Sequence, residues 1–359
     1  MRGIVWTGKL EIRDDLAVRS PGDREVMVRI ANAGLCHSDV SVLNGTIPFP
    51  TPVVLGHEGA GVVEEVGRAV TSVNPGDHVV LTTFGNCGQC DACDRGLPTH
   101  CRHSVGGGTG MGRYKIGGND SFQFANLGVF SERTVVFETQ CVRIDPDVPF
   151  ESACLIGCAV LTGTGAVLHR AKVQPGQTVA VIGVGGVGQS VIQGARLSSA
   201  RRVVAIDTNP AKEVAARKMG ATDFIDASTT QDTVTALRDL GLPNGVDYAF
   251  ECVGHPTLIR QAVSMLDWGG SCIMLGVPKL GTTARFVVSD MYNDKSIVGC
   301  RHGSTKPHHD IPLVIDLYKS GRFYLDEMVS QVYDLAAIRD ALSDLDEGKL
   351  NRAVLRVAP

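Results

Sequence analysis

No part of the 359-residue chain gathers lysine and arginine into a cluster, and 34 Lys and Arg stand against 38 Asp and Glu, for a formal net charge of -4. Binding to a phosphate backbone relies on grouped cations, so a nucleic-acid partner is not expected. The start of the chain, Met1-Arg2-Gly3-Ile4-Val5-Trp6, has no long apolar core of the kind that directs secretion. A run of about 18 apolar residues is not evident either, so membrane contact is not expected and the cytoplasm is the expected compartment. The 42 glycines follow no triplet repeat, which excludes a collagen-like rod and points to tight turns and to backbone that must approach a ligand closely. With 43% hydrophobic and 20% charged residues, the composition is that of globular material long enough for about two domains.

Eleven cysteines might suggest a disulfide framework, but their spacing and odd number argue otherwise. Cys87, Cys90, Cys93 and Cys101 fall close together, and disulfides between residues three apart are strained, whereas a tetrahedral metal gathers such neighbours readily. A four-cysteine zinc shell in a surface lobe is the expectation. The redox alternative for a C-x-x-C pair normally accompanies a thioredoxin-like βαβ pattern, and none surrounds this one.

A second donor group is spread from Cys36-His37-Ser38-Asp39 to Gly56-His57-Glu58. Thiolate, imidazole and carboxylate are zinc-ligand chemistries, but Cys36 and His57 supply only two ligands. Cys158, in Gly157-Cys158-Ala159, is a candidate third. A closed shell of four protein ligands is structural, whereas three leave a position for an exchangeable oxygen and make a Lewis acid. Taken alone, Cys36 reads as a buried thiol; the pair beside the four-cysteine lobe reverses that preference.

The first part of the chain reads as strands, at residues 26–30, 61–66, 78–81 and 131–137, with Pro75-Gly76-Asp77 as turn chemistry. Residues 104–128, with Gly106-Gly107-Gly108 and Gly117-Gly118, read as a long functional or surface loop. Helix is expected at 162–168. The continuous apolar strand Thr178 to Ile182 then runs into Gly183-Val184-Gly185-Gly186-Val187-Gly188 and a helical stretch. In that context the glycines permit a tight turn, close approach of a pyrophosphate and helix-on-strand packing, with the helix N-terminus facing the anion. Asp207, at the end of the strand 203–206 and roughly 20 residues further on, is placed to receive ribose hydroxyls. NAD is therefore expected over NADP, since a 2'-phosphate would meet that negative charge. Strands at 223–225, 248–251, 272–275 and 296–299 alternate with helices at 211–219, 231–240 and 256–266. They complete a doubly wound parallel sheet, after which helices at 311–320 and 335–345 and a strand at 353–357 rejoin the first domain.

Together, Gly34-Leu35-Cys36-His37-Ser38-Asp39, Gly56-His57-Glu58, the four-cysteine lobe, Gly157-Cys158 and the central GxGGxG with Asp207 resemble the zinc-containing medium-chain alcohol dehydrogenases, over essentially the whole chain. The resemblance implies an α/β protein: a GroES-like β-rich catalytic domain (1–160 and 301–359, with the structural zinc lobe) and an NAD-binding Rossmann domain (161–300), with the active site in the cleft between them. It implies two zinc ions per subunit. Cys36, His57 and Cys158 would hold the catalytic ion with Glu58 beside it, and Cys87, Cys90, Cys93 and Cys101 the structural one. Asp39 would orient His57, and Ser38 would contact the substrate oxygen and pass its proton on. Many family members carry a His where this chain has Ser41, so a shortened relay is expected. His37, Gly183, Gly185, Gly186, Val187, Gly188, Asp207, Lys212 and Arg352 are the expected cofactor contacts, with His37 and Arg352 on phosphate.

The expected reaction is reversible hydride transfer between NAD and a small alcohol, giving an aldehyde or ketone. Thr83 and Phe84 are expected in the substrate pocket, and the small Thr83 leaves space for an aromatic or bulky alcohol. Arg102, Arg113 and Lys115 keep open a formaldehyde dehydrogenase acting on a thiol adduct. A zinc-stabilised binding module without catalysis is the alternative from another class. A homodimer is the expected assembly, with a tetramer as the other possibility.

Overall fold

Residues Glu25–Leu35 alternate between half-buried and buried side chains and then become buried throughout, the pattern of a strand that leaves a sheet face to enter a core. Taken from a computed structural model that describes residues 1–103 and 112–358, the fold is built outward from this strand. One of its edges pairs antiparallel with Glu58–Val66, and the other is shared by Arg133–Phe137 and Arg352–Arg356. The sheet extends through His78–Leu81 to Cys141–Arg143 on one side and through Arg352–Arg356 to Val329–Asp334 on the other. Its core is aliphatic, with Val28, Ile30, Leu35, Leu55, Leu81 and Leu355 almost fully buried. This sheet and a second, six-stranded one belong to a compact unit formed by Met1–Cys158 and Lys306–Pro359.

The second unit, Ala159–Thr305, carries a six-stranded parallel sheet. Its strands run in the order Asp223–Asp226, Arg202–Asp207, Thr178–Ile182, Val246–Glu251, Leu266–Met274 and Ser296–Gly299. The order reverses between Thr178–Ile182 and Val246–Glu251, and such a switch point opens a crevice at the carboxyl ends of the strands. Thr178–Ile182 is buried at every position, as a strand covered on both faces must be.

Two expectations need correction. The stretch 104–128 is not one long loop. Residues 104–111 lie outside the described residues, but Tyr114–Ile116 and Asn119–Gln123 form a hairpin across the Gly117-Gly118 turn, where both glycines have positive φ. The hairpin is pinned from inside the fold. The Tyr114 hydroxyl lies within 3.0 Å of the Gly128 and Arg133 carbonyls, and Gln123 Nε2 donates to Leu127 and Val135 carbonyls at 2.9 and 3.1 Å. Short strands whose polar residues point inward carry a weak alternation signal, and the glycines obscured it. The second correction concerns apolar length. Phe150–Ala171 is a continuous helical stretch of 22 residues whose most apolar 18-residue window has a mean hydropathy of 1.6, long and apolar enough by composition to cross a membrane. Since 78% of its most apolar window is buried within the protein, it reads as a core helix.

The hairpin also assigns Arg113. Its guanidinium is buried, bonded to Glu25 at 3.0 Å and stacked 4.5 Å from the centre of the Phe137 ring, so it is structural and leaves the set of pocket cations. Lys115 is half-exposed and paired with Asp120, while Arg102 is exposed. Breaking a buried pair strands a charge and costs about 3–5 kcal/mol, against about 0–1 for an exposed one. Arg113→Met should therefore lower the unfolding free energy by about 3 kcal/mol. Lys115→Ala, measured alongside by chemical denaturation, should change it by less than about 1 kcal/mol.

Candidate metal and cofactor sites

Strand Glu25–Leu35 ends at Leu35 and the chain turns at once into the helix His37–Leu43, with Cys36 as its N-cap in an extended conformation. Asp39, in the first turn and 1% exposed, closes this corner. Its carboxylate accepts the backbone N–H of Cys36 at 3.2 Å and of Gly56 at 3.1 Å. It also lies 3.2 Å from His57 Nδ1. Nδ1 must then carry the proton, which leaves the Nε2 lone pair as a ligand. Nε2 is buried and, among the described residues, has no hydrogen-bond partner, as a metal-ligand atom would.

The third thiol arrives from a different direction. Cys158 lies in a π-helical turn, Ile156–Val160, of the kind that re-aims side chains at functional sites. Gly157 lets this turn sit directly on the strand His78–Leu81, because a Cβ there would strike the Leu81 carbonyl. Glu58 comes from the first position of strand Glu58–Val66, fully buried and ion-paired with Arg352. Gly34, its register partner, makes room: a Cβ there would collide with the Glu58 carboxylate and with Leu155. Ligand atoms of Cys36, His57, Glu58 and Cys158 all lie within 4.8 Å of one another. The Cys36 thiol is held well below its usual range by a hydrogen bond with Cys158, against burial, and with help from the charge on His57. Burial works against a charged His57, but Asp39 and Cys36 outweigh it and push its pKa up to about 10. In the metal-free site a proton holds thiolate and imidazole together; a divalent ion of the zinc type would displace that proton and take both lone pairs.

The four-cysteine lobe passes a geometric test. A tetrahedral ion with Zn–S near 2.3 Å requires sulfurs about 3.8 Å apart. The separations are 4.0 Å for Cys87–Cys93, 3.6 Å for Cys90–Cys93, 3.8 Å for Cys90–Cys101 and 3.6 Å for Cys87–Cys101. Burial pushes Cys101 up to about 12. At Cys93 burial is outweighed by hydrogen bonds from the Gly88 amide and Cys90, which bring it to about 7. Thiols so close cannot all ionise unaided, and a bound dication removes that conflict.

In the second unit, Gly183 has φ +91 and begins the turn, and Gly185 caps the helix Gly186–Leu197. A Cβ on Gly185 would project into open space, which is the cradle a phosphate requires, whereas one on Gly188 would strike the Gly183 carbonyl. Asp207 accepts the Val184 N–H at 2.7 Å, the Asn209 N–H at 2.9 Å and Lys212 Nζ at 3.1 Å. It thereby ties the glycine turn to the next loop.

Some expected site residues are found elsewhere or with other partners. Arg352, expected on a phosphate, is buried against Glu58, so its first role is to neutralise that carboxylate. His37 is exposed at the first helical position and Ser38 half-buried beside it, while Thr83 and Phe84 directly follow strand His78–Leu81. Phe124 was not foreseen. Its ring meets His57 edge-on at 5.2 Å and Phe49 at 5.4 Å, an aromatic wall beside the metal ligands. The next two residues, Ala125 and Asn126, hold left-handed φ of 51 and 57, strain of about 1–3 kcal/mol each that single-residue propensities do not signal.

Comparison with known proteins agrees with this geometry. Two family models match, the alcohol dehydrogenase GroES-like domain over residues 22–146 and the zinc-binding dehydrogenase domain over 186–320. A probable S-(hydroxymethyl)glutathione dehydrogenase of Schizosaccharomyces pombe is 38% identical over 362 residues, which cover 98% of this chain and 95% of its own. Among solved structures, benzyl alcohol dehydrogenase from Acinetobacter calcoaceticus is 33% identical with a TM-score of 0.92 over 99% of each chain. An alcohol dehydrogenase zinc-binding domain protein from Burkholderia ambifaria is 34% identical with the same TM-score, over 100% of this chain and 99% of its own.

Replacing the orienting carboxylate separates a metal site from a buried hydrogen-bond network. Asp39→Asn should weaken zinc at the Cys36 site by about 10–100-fold. Metal analysis after dialysis against graded chelator should then find one equivalent lost early and the four-cysteine equivalent retained.

Proposed function

The chain belongs to the zinc-containing medium-chain alcohol dehydrogenase family, and from that premise we propose that it interconverts an aromatic or other bulky primary alcohol and its aldehyde, with NAD as hydride carrier. The observation that carries the reading is the buried donor group of Cys36, His57 and Cys158 with an orphaned His57 Nε2, flanked by the Phe124 and Phe49 rings. When bound, zinc supplies a Lewis acid that eases deprotonation of an alcohol, and NAD supplies the hydride acceptor. The rest is done by side chains. Cys36, His57 and Cys158 hold the ion, with Glu58 beside it neutralised by Arg352. Asp39 keeps His57 in the ligand tautomer. Ser38 accepts the substrate hydroxyl proton and hands it on; with Ser41 where relatives have a His, ribose and solvent complete a short relay. Phe124 and Phe49 give an aromatic wall suited to a ring, which Thr83 and Phe84 are expected to extend.

NAD over NADP rests on Asp207. Its carboxylate lies where a 2'-phosphate would suffer repulsion, although Lys212 offsets part of that charge. The glycine cradle, Lys212, His37 and Arg352 complete the proposed cofactor contacts.

The thiol-adduct reading is favoured by a name shared among curated relatives: besides the Schizosaccharomyces pombe protein, Escherichia coli proteins also 38% identical to this chain are named S-(hydroxymethyl)glutathione dehydrogenase. Against it stands the structural commitment of Arg113 and the pairing of Lys115 with Asp120, which remove two of the three cations that would meet an acidic adduct. The odd number of cysteines and the gathering of four of them in one lobe support a reducing, cytoplasmic setting. For assembly we propose a homodimer. Trp268, Leu280, Val288 and Tyr292 are between 78% and 90% exposed in the segment leading to the edge strand Ser296–Gly299, and that strand bears no charge to block pairing with its copy. A tetramer would reuse this contact.

Steady-state kinetics on a panel of alcohols decides the substrate. Benzylic alcohols with NAD should exceed ethanol by at least about tenfold in kcat/KM, Phe124→Ala should erase most of that advantage, and NADP should support little turnover. A higher kcat/KM for S-(hydroxymethyl)glutathione than for any simple alcohol would overturn the aromatic reading in favour of the adduct. Light scattering tests the assembly: a dimer is expected, and Val288→Glu combined with Tyr292→Glu should yield monomer.

A further inference from the structure

Strand Val246–Glu251 is apolar at its carboxyl end apart from its last residue, and that residue is fully buried. A carboxylate placed at the end of a central parallel strand is costly unless it is put to use. Glu251 is used by two loops at once. Its side chain accepts the N–H of Val253 at 3.0 Å and that of Gly254 at 2.8 and 3.0 Å. Its main-chain oxygen accepts the N–H groups of Leu275 and Gly276 at 2.8 and 3.0 Å. The loops it joins pack without space between them, since a Cβ on Gly276 would collide with the Gly254 amide, and Gly254 itself has φ +86.

The position of this junction gives it meaning. Glu251 is the register partner of Ile182, the residue immediately before the glycine turn, and the Cys252 N–H donates to the Ile182 carbonyl at 3.0 Å. Val253 extends over that turn, so closely that a Cβ on Gly183 would lie 2.6 Å from its side chain. The strands of Glu251 and Ile182 are the two between which the sheet order reverses. Val253, itself 51% exposed, therefore forms one lip of the switch-point crevice and the glycine turn the other. Burial lifts the Glu251 pKa in spite of the Gly254 and Val253 donors.

We propose that Glu251 is a positioning residue for the dinucleotide: its carboxylate fixes the Cys252–His255 loop so that Val253 and the Gly183 turn present a preformed crevice to the cofactor. Glu251 touches neither substrate nor cofactor and acts through Val253 and Gly254. The inference rests on the cofactor reading given above.

Asp247, at the other end of the same strand, provides a matched control. Its carboxylate accepts the Thr178 N–H and hydroxyl, both at 2.7 Å, and so joins the same two strands at the amino end, away from the crevice. Four proteins are compared as full chains with zinc bound: the parent, Glu251→Gln, Glu251→Asp and Asp247→Asn. NADH binding is followed by nicotinamide fluorescence and stability by thermal melting. Glutamine keeps one acceptor but turns the other into a donor aimed at the Gly254 N–H, so Glu251→Gln should weaken NADH about tenfold or more. KM for NAD should rise by a similar factor, with kcat at saturation within about threefold of the parent. Asp247→Asn should lower the melting temperature at least as much yet leave the NADH dissociation constant within about twofold. Glu251→Asp, which retains both oxygens on a shorter stem, should recover part of the loss. Equal weakening in the Gln and Asn variants, or unchanged NADH binding in Glu251→Gln, would reduce Glu251 to a fold-stabilising role. Failure of the parent itself to bind NADH would instead discard the cofactor reading.

Discussion

Four electron-rich side chains converge within 4.8 Å, and three of them are buried, so mutual repulsion is the constraint around which the first unit is arranged. Each accommodation can be named. Asp39 accepts the Nδ1–H of His57, Cys158 donates to Cys36, Arg352 offsets Glu58, and Gly34 leaves space for the Glu58 carboxylate. What they leave over is a soft, asymmetric set of lone pairs, suited to a divalent ion that keeps a coordination position open to solvent or substrate. The four-cysteine lobe solves the same repulsion differently. Its sulfurs already stand at tetrahedral separations, so a dication there would be enclosed, an arrangement suited to holding the lobe's shape.

The second unit manages negative charge by the opposite means. Around the glycine turn the protein offers backbone N–H groups and bare Cα positions, and keeps its own carboxylates occupied. Asp207 binds the Val184 and Asn209 amides and Lys212, while Glu251 binds the amides of Val253 and Gly254. Both acids stand at strand ends facing the loops that form the crevice. They shape those loops while leaving the helix N-terminus to the incoming anion.

Much of this was legible in the residues themselves. The strand Thr178–Ile182 and the strand His78–Leu81 have the predicted limits, because short valine-rich runs with turn glycines at one end, Gly183 after the first and Pro75-Gly76 before the second, admit few alternatives. The family resemblance rested on ligand types and spacing, and these survive in linear order. Less legible were features that depend on which side chain meets which across the fold. Arg352 could be read as a free cation but not as the partner of a carboxylate far away in sequence, and Arg113 could not be told from a pocket residue until the hairpin placed it beside Glu25. The hairpin itself was hidden because its anchors, Tyr114 and Gln123, are polar groups that point inward. Phe124 gave no local sign of standing against His57. Glu251 did leave one clue, a lone charge ending a buried strand.

The unit that carries the metal ligands is discontinuous, and the strand Arg352–Arg356 fills an interior place in its seven-stranded sheet. Glu58 and Arg352 are 294 residues apart. At about 5–20 residues per second, a ribosome emits the carboxylate roughly 15–60 s before its counter-charge exists. Late in that interval, once Ser296–Gly299 has been made, the inserted parallel sheet can fold as an independent body, whereas the ligand-bearing sheet still has an open edge and an unneutralised acid at its centre. Vectorial synthesis thus imposes an order in which the nucleotide-type module matures first and the metal pocket closes last, with its final strand acting as the latch.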